Sequence, residues 1–219
     1  MYGIKQAPRE WNSHFNESIV ALGYQRCSGD TCVYVRTSKT GRSIIIPVFV
    51  DDVFPACHPD DLVEMKADLA QLMKKYGIES CDDAGAVLGM RITRGREGQM
   101  LKLDQEVYIN KVLVTFGMEN SNSAITPEEE RAAARQSAAT FHDDEEAGWR
   151  EHYGSIVGAV LYIALSTRPD IAHAATMRAR VVSNPSYSDW LACKRILRYL
   201  KGTSSMGLTF GCRPSGGAS

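Results

Sequence analysis

At 219 residues, with 44% hydrophobic and 23% charged content, the chain has the makeup of an ordinary globular protein with room for one or two cores. A formal net charge of −1 argues against a protein that grips nucleic acid by bulk positive charge, since phosphate neutralisation supplies most non-specific affinity. No run approaches transmembrane length and the opening MYGIKQAPRE lacks the apolar core of a signal peptide, so a cytoplasmic or nuclear location without membrane contact is expected.

In chain order, Gln6–Gly23 reads as a helix: Pro8 suits its first turn, Trp11, Phe15, Ile19 and Leu22 recur at helical spacing, and Gly23 is a stop. Cys32–Arg36 and Ser43–Val50 read as strands joined by a turn at Ser38–Arg42, with Pro47 as a flaw in the second strand. That strand runs into two adjacent carboxylates, Asp51 and Asp52, followed at once by Val53 and Phe54. Carboxylates at the edge of a core repel each other, which favours a raised pKa on one of them or a divalent cation between them. A solvated Asp-Asp turn is the plainer alternative on this stretch alone.

A second helix opens at Pro59–Asp61 with Asp60 as N-cap, carries Leu62, Met65, Leu69, Leu72 and Tyr76 on one stripe, and ends at Gly77. Val87–Thr93 and Gln99–Leu103 read as a hairpin around Gly95 and Gly98, and Glu106–Phe116 as a helix closed by Gly117. From Glu119 to Gly148 apolar periodicity is almost absent, which marks a polar linker, although Glu128–Ala139 has helix-favouring composition. Three helices follow, Trp149–Leu165, Pro169–Val182 and Ser186–Lys201, and then a small, Gly-rich, flexible tail. In the last helix Lys194, Arg198 and Lys201 share a face, either solvated or facing phosphates. The six cysteines and five histidines show no metal-ligand spacing, and the cysteines read as free buried thiols.

Seven blocks, in order, resemble the reverse transcriptase of copia-type retrotransposon Pol polyproteins. Tyr2–Trp11 (YGIKQAPREW) is similar to the family's Y-G-L-K-Q-A-P-R-x-W, Phe49–Asp52 (FVDD) to its Y-V-D-D box, and Leu88–Ile92 (LGMRI) to its F-L-G-x-x-I. Leu103–Met118, Tyr153–Tyr162 (YGSIVGAVLY), Thr167–Ala172 (TRPDIA) and Ala192–Thr203 (ACKRILRYLKGT) supply the others. Together they cover about residues 2–203.

The resemblance implies an α+β fold: a partial palm, an antiparallel sheet with flanking helices, over 1–118, then the polar linker 119–148, a small helical thumb-like region 149–203 and the flexible tail 204–219. It implies an RNA-directed DNA polymerase that uses Mg2+ or Mn2+ in the parent enzyme, with Asp51 and Asp52 as catalytic metal ligands. Gln6 and Phe49 would lie by the nucleotide and template, with Lys5 and Arg9 nearby. Leu88, Gly89 and Met90 would form the primer grip, and Gly158 and Tyr162 would meet the duplex minor groove. The alternative at that last pair is close helix packing against Gly158 with Tyr162 in the core. The implied partners are an RNA/DNA template-primer, dNTPs, and the fingers and ribonuclease H domains of the polyprotein.

Departures from the family pattern define a second expectation. Phe49 stands for the usual Tyr, Pro47 and Pro55 interrupt the catalytic hairpin, the stretch between Gly85 and Leu88 is short, and the upstream Asp that completes the family's metal site precedes Tyr2 in the pattern. A truncated relic or domesticated fragment, catalytically inactive, holding no ion and binding nucleic acid or a partner weakly, fits these departures. A metal-dependent hydrolase built on Asp51/Asp52 and Asp82/Asp83 accounts for none of the other blocks.

Overall fold

Helix α1 (Ala7–Ala21), strands β1 (Gln25–Arg26), β2 (Val33–Thr37), β3 (Ser43–Phe49) and β4 (Asp52–Val53), and helix α2 (Leu62–Tyr76) build an N-terminal unit. The structure, a computed structural model, describes residues 7–49, 52–77, 85–95, 100–128 and 148–211, and divides between residues 83 and 84 into two units. Together the units have the mixed α and β makeup expected from sequence, with two four-stranded antiparallel sheets among the described residues. No helix of the described residues is long and apolar enough to cross a membrane.

In the first unit the strands lie in the order β1-β2-β3-β4. Successive side chains of a strand point to opposite faces, and β3 shows it: Ile44, Ile46 and Val48 are buried, whereas Ser43, Ile45 and Phe49 are exposed. The buried set packs with Phe15 and Ile19 of α1 and Met65, Leu69 and Leu72 of α2. Each fully buried aliphatic side chain contributes roughly 1.5–3 kcal/mol over its exposed state. Arg36 on β2 ties the sheet to α2 by ion pairs to Asp68 and, at 2.9 Å, to Glu64. The Tyr24 hydroxyl donates to the same Asp68 carboxylate at 2.8 Å, and burial first, then that carboxylate, pushes its pKa up.

The prolines expected to interrupt this sheet do not. Pro47 faces Val33 of β2, and beside that pair the Val48 amide donates to the Cys32 carbonyl, so Pro47 sits where the ladder towards β2 needs no N–H. Its carbonyl accepts from the Phe54 amide on the other side, which limits the cost to one missing bond at the sheet edge. Phe54 and Ala56 both bond to β3, so Pro55 between them turns its nitrogen outward. A proline costs a strand little where its nitrogen has no partner to lose.

Asp60 is not the helix cap expected. A 3-10 turn, Pro59–Asp61, intervenes, capped by the His58 side chain, which accepts from the Asp60 amide, and α2 begins one residue later at Leu62. Gly77 ends α2 in the left-handed conformation, with φ +66°, as the sequence indicates.

The second unit comprises β5 (Ala86–Val87), β6 (Met90–Arg94), β7 (Met100–Asp104), α3 (Glu106–Thr115), α4 (Trp149–Ser166), α5 (Ala172–Ala179), α6 (Tyr187–Gly202) and β8 (Gly207–Gly211). The segment expected as one strand, 87–93, folds back on itself at Leu88-Gly89. The hairpin expected around Gly95 and Gly98 is present as the β6–β7 pairing, although residues 96–99 lie outside the described ones. Residues 207–211, expected within a flexible tail, pair with β7 along its length. Gly207 makes that approach possible, because a Cβ there would stand 2.1 Å from the Leu103 carbonyl oxygen. The linker expectation is described only over 119–128, and the helix proposed at 128–139 lies, after Glu128, outside the described residues.

The core of this unit is helical. Ile156, Val157, Val160 and Ile163 of α4 meet Ala174 and Ala175 of α5 and Cys193, Ile196, Leu197 and Leu200 of α6, with Trp149, Tyr187 and Trp190 grouped at one end. Ser186 caps α6 in a capping box with Asp189. Among the cysteines, Cys193 is buried, Cys27 and Cys57 half-buried and Cys32 exposed, so the expectation of buried thiols is too broad, while Cys81 and Cys212 lie outside the described residues. Burial pushes the Cys193 thiol up to about 12, which keeps it unreactive.

Two charged side chains lie inside this unit among the described residues, Asp104 and Arg168. Arg168, 1% exposed, follows α4 and donates from Nε and Nη2 to the two carboxylate oxygens of Asp170, at 2.9 and 2.7 Å. It also donates to the Thr203 carbonyl at 2.8 Å and the Thr203 hydroxyl at 2.7 Å, beyond the end of α6. Tyr199 of α6 donates to Asp170 and offers its ring to the guanidinium.

Arg168→Ala removes a buried guanidinium with its hydrogen bonds to Thr203 and to the partly exposed Asp170, and is expected to lower the stability of this unit by about 2–3 kcal/mol. The measurement is denaturation followed by Trp149 and Trp190 emission, and a loss under about 1 kcal/mol would contradict it. For Asp170, burial alone would raise the carboxyl pKa, but the hydrogen bonds from Arg168 and Tyr199 outweigh it and hold it below the usual range. A depressed folded pKa gives stability that is complete above the unfolded value of about 3.9 and is lost as pH falls through the folded value. Asp170→Asn should therefore flatten the acid limb of the stability–pH curve, and an unchanged limb would contradict that.

Candidate nucleic-acid interface

The acidic pair lies on the hairpin of β3 and β4. Val48 faces Val53 and Phe49 faces Asp52, so the connection consists of Val50 and Asp51, both outside the described residues. Asp52 is exposed at the start of β4, and Phe49, 53% exposed, shares the helix-free face of the sheet with Ile45. Gln6 and Lys5 lie outside the described residues, as do Asp82 and Asp83, and Arg9 is exposed in the first turns of α1. Among the described residues no group of three or more His, Cys, Asp or Glu side chains stands close enough to hold a metal ion. Asp52 by itself does not make a metal site.

In the second unit the structure brings four sequence candidates to one place. Val87 and Met90 pair across a two-residue loop in which Leu88 has φ +47° and Gly89 φ +73°. Positive φ at both central residues is the pattern of a type I′ hairpin turn, which follows strand twist. The Tyr162 hydroxyl of α4 donates to the Leu88 carbonyl, and a Cβ at Gly89 would lie 3.4 Å from that hydroxyl. Tyr108 of α3 packs edge-on against the Tyr162 ring, with centroids 5.1 Å apart. Burial, and then Tyr162, raises the Tyr108 pKa.

Helix α4 therefore has two distinct faces. Ile156, Val157, Val160 and Ile163 point into the core, whereas Gly158, Tyr162 and Leu165 lie on the open side, Leu165 being 83% exposed. A Cβ at Gly158 would meet nothing within 4 Å. Within this unit Gly158 is thus no packing contact and Tyr162 no core residue. Tyr108 was missed in the sequence as a partner of this face. Its only signal there is an aromatic at mid-helix, which reads equally well as core.

The basic row on α6 has a different use. Arg198 donates from Nε to the Asn122 carbonyl at 2.7 Å, and Lys201 from Nζ to the Ser121 carbonyl at 2.6 Å. The neighbouring Arg195 donates to the Thr126 hydroxyl at 3.1 Å, and the Ala124 amide donates to the Arg198 carbonyl. Residues 121–126 thus run along the helix, with their carbonyl oxygens against the cations expected to meet phosphates. Lys194 is half-buried on the same helix.

A family described as reverse transcriptase (RNA-dependent DNA polymerase) matches residues 1–130. The chain is 35% identical over 213 residues to the retrovirus-related Pol polyprotein from transposon TNT 1-94 of Nicotiana tabacum, covering 96% of this chain and 16% of that protein. It is 31% identical over 209 residues to the corresponding polyprotein from transposon RE2 of Arabidopsis thaliana, covering 95% of this chain and 14% of that one. A putative transposon Ty5-1 protein of Saccharomyces cerevisiae is 29% identical over 210 residues, with 96% of this chain and 65% of that protein covered. The chain thus spans about a sixth of the plant polyproteins it matches. No solved structure matches it.

If the α6 cations hold the 121–126 segment, their loss should be felt in stability. Arg198→Met and Lys201→Met are each expected to cost about 1 kcal/mol in denaturation of the second unit. Unchanged stability for both would return the row to solvent or to a ligand.

Proposed function

Because the chain belongs to the reverse transcriptase family of copia-type retrotransposon Pol polyproteins, we propose that it is a palm-and-thumb segment of an RNA-directed DNA polymerase. Residues 1–118 would supply the palm side, 119–148 the connection, 149–203 the thumb side and 204–219 the end of the segment. The reaction is nucleotidyl transfer: the primer 3′-oxygen forms a bond to the α-phosphorus of a dNTP, and pyrophosphate leaves. Enzymes of this family generally depend on a divalent metal, which supplies charge neutralisation and activates the primer hydroxyl.

In this reading Asp51 and Asp52 are the carboxylates that meet the metal, and Gln6 and Phe49 lie along the nucleotide and template. The Phe49 ring, more than half exposed on the open sheet face, is available for stacking. Leu88, Gly89 and Met90 hold the primer terminus, and Gly158 and Tyr162 face the minor groove of the hybrid. The remaining partners are the other domains of the polyprotein.

The observation that carries the reading is the open face of α4. A helix that places a glycine with empty space before it beside a tyrosine gives a flat approach for a sugar–phosphate backbone and an aromatic edge to meet it. The second reading, a fragment that binds a hybrid duplex without polymerising on it, draws on the same face.

Two measurements test this. Gly158→Leu should gain roughly 0.5–1 kcal/mol of stability from helix propensity, because its space is empty, while weakening RNA/DNA hybrid binding about tenfold by filling that space. Equal binding by the variant would remove the face from the interface. Primer extension on poly(rA)/oligo(dT) with Mg2+ or Mn2+ separates the two readings: incorporation that disappears in Asp51→Asn supports the polymerase. Binding with no incorporation supports the second reading, and incorporation that survives Asp51→Asn contradicts the role given to Asp51.

A further inference from the structure

Leu88 is the only non-glycine residue with positive φ among the described residues. A Cβ-bearing residue in the left-handed region is strained, and asparagine or glycine is the residue usually found at the first central position of a type I′ turn. Leucine there is a poor local choice. It is tolerated only where the surroundings over-determine the conformation, and such positions gather at functional sites. The surroundings here are specific: the Tyr162 hydroxyl, from a residue 74 positions away, is bonded to the Leu88 carbonyl, and the Tyr162 ring is braced by Tyr108. Leu88 is 40% exposed, so burial of its own side chain holds the turn only in part.

We propose that Tyr162 is a positioning residue whose hydroxyl holds the strained Leu88-Gly89 turn in place, so that the open face of α4 and the tip of the hairpin respond to nucleic acid as one element. The hydroxyl proton is already engaged by the Leu88 carbonyl, which leaves the ring and an accepting oxygen for the sugar. Leucine at the turn then presents an apolar tip that asparagine could not, and the tyrosine bond offsets its backbone strain. The duplex part of this inference rests on the proposed function. The tether itself does not.

The test uses the full chain and three variants: Tyr162→Phe, which keeps the ring and its packing on Tyr108, Leu88→Asn, and the two together. Hydrogen exchange of residues 86–91 in the free protein reads the tether. Tyr162→Phe is expected to speed exchange there about tenfold, the worth of one hydrogen bond, with the α4 and α6 core unchanged. Leu88→Asn in the Tyr162→Phe background should restore protection, since asparagine tolerates the left-handed turn unaided. A generally loosened fold would not be rescued this way. Binding of a labelled RNA/DNA hybrid reads the coupling: Tyr162→Phe should release the duplex several-fold faster, and Leu88→Asn should not restore the rate, because it removes the apolar tip.

Unchanged exchange in Tyr162→Phe, or faster exchange that Leu88→Asn fails to reverse, overturns the tether. Faster exchange with wild-type duplex release overturns the coupling. A wild-type chain that does not bind the hybrid contradicts the proposed function and the coupling, while the exchange measurements still decide the tether.

Discussion

A guanidinium buried to 1% exposure must keep every partner it has, and in this chain Arg168 has partners in two places at once. Its carboxylate, Asp170, opens the turn before α5, and its other contact, Thr203, lies just past α6. The bond set pins the end of α4 to the end of α6, and the apolar faces of α4, α5 and α6 close over the space between. With one side of α4 fixed in that core, the side bearing Gly158 and Tyr162 has no freedom but to face outward. The candidate interface is thus a consequence of a structural charge placed elsewhere.

The same logic explains how one helix packs on one face and leaves the other open. Residues 156, 157, 160 and 163 bury their side chains, while 158, 162 and 165 fall on the opposite arc. Glycine in a helix costs about 1 kcal/mol relative to alanine, and at Gly158 no neighbour requires it. That cost has no return within this unit, which points to something outside it. Tyr162 adds the connection to a hairpin whose turn residue is locally unfavourable. Gly158 and Tyr162 lie one helical turn apart, and the Tyr162 hydrogen bond joins that helix to the unfavourable turn at Leu88.

Much of this was legible in the sequence wherever apolar period and turn chemistry agreed. The α2 stripe ending in Gly77, the helix from Ser186 and the strand from Ser43 all appear where their residues indicate. Failures came where a tertiary partner decided. Pro47 and Pro55 look like strand breakers until the register shows their nitrogens have little to bond. Residues 207–211 look like a tail until β7 offers a ladder and Gly207 allows the approach. The basic row on α6 is correctly placed on one face, but sequence could not show that carbonyls of 121–122 lie against it. Of the candidate site, Leu88, Gly89, Gly158 and Tyr162 were legible through family resemblance. The contact of Tyr162 with Leu88 and Gly89 was not, because nothing in residues 74 apart encodes a hydrogen bond.

The proposed contact with nucleic acid lies at the 88–90 turn and the open face of α4. Hydrogen exchange across all peptides, with and without a short RNA/DNA hybrid, tests it most directly. Protection is expected at 88–90 and along 155–162, with residues 195–201 unchanged because Arg195, Arg198 and Lys201 are engaged with 121–126. Protection centred on 195–201 with none at the hairpin and α4 would contradict it.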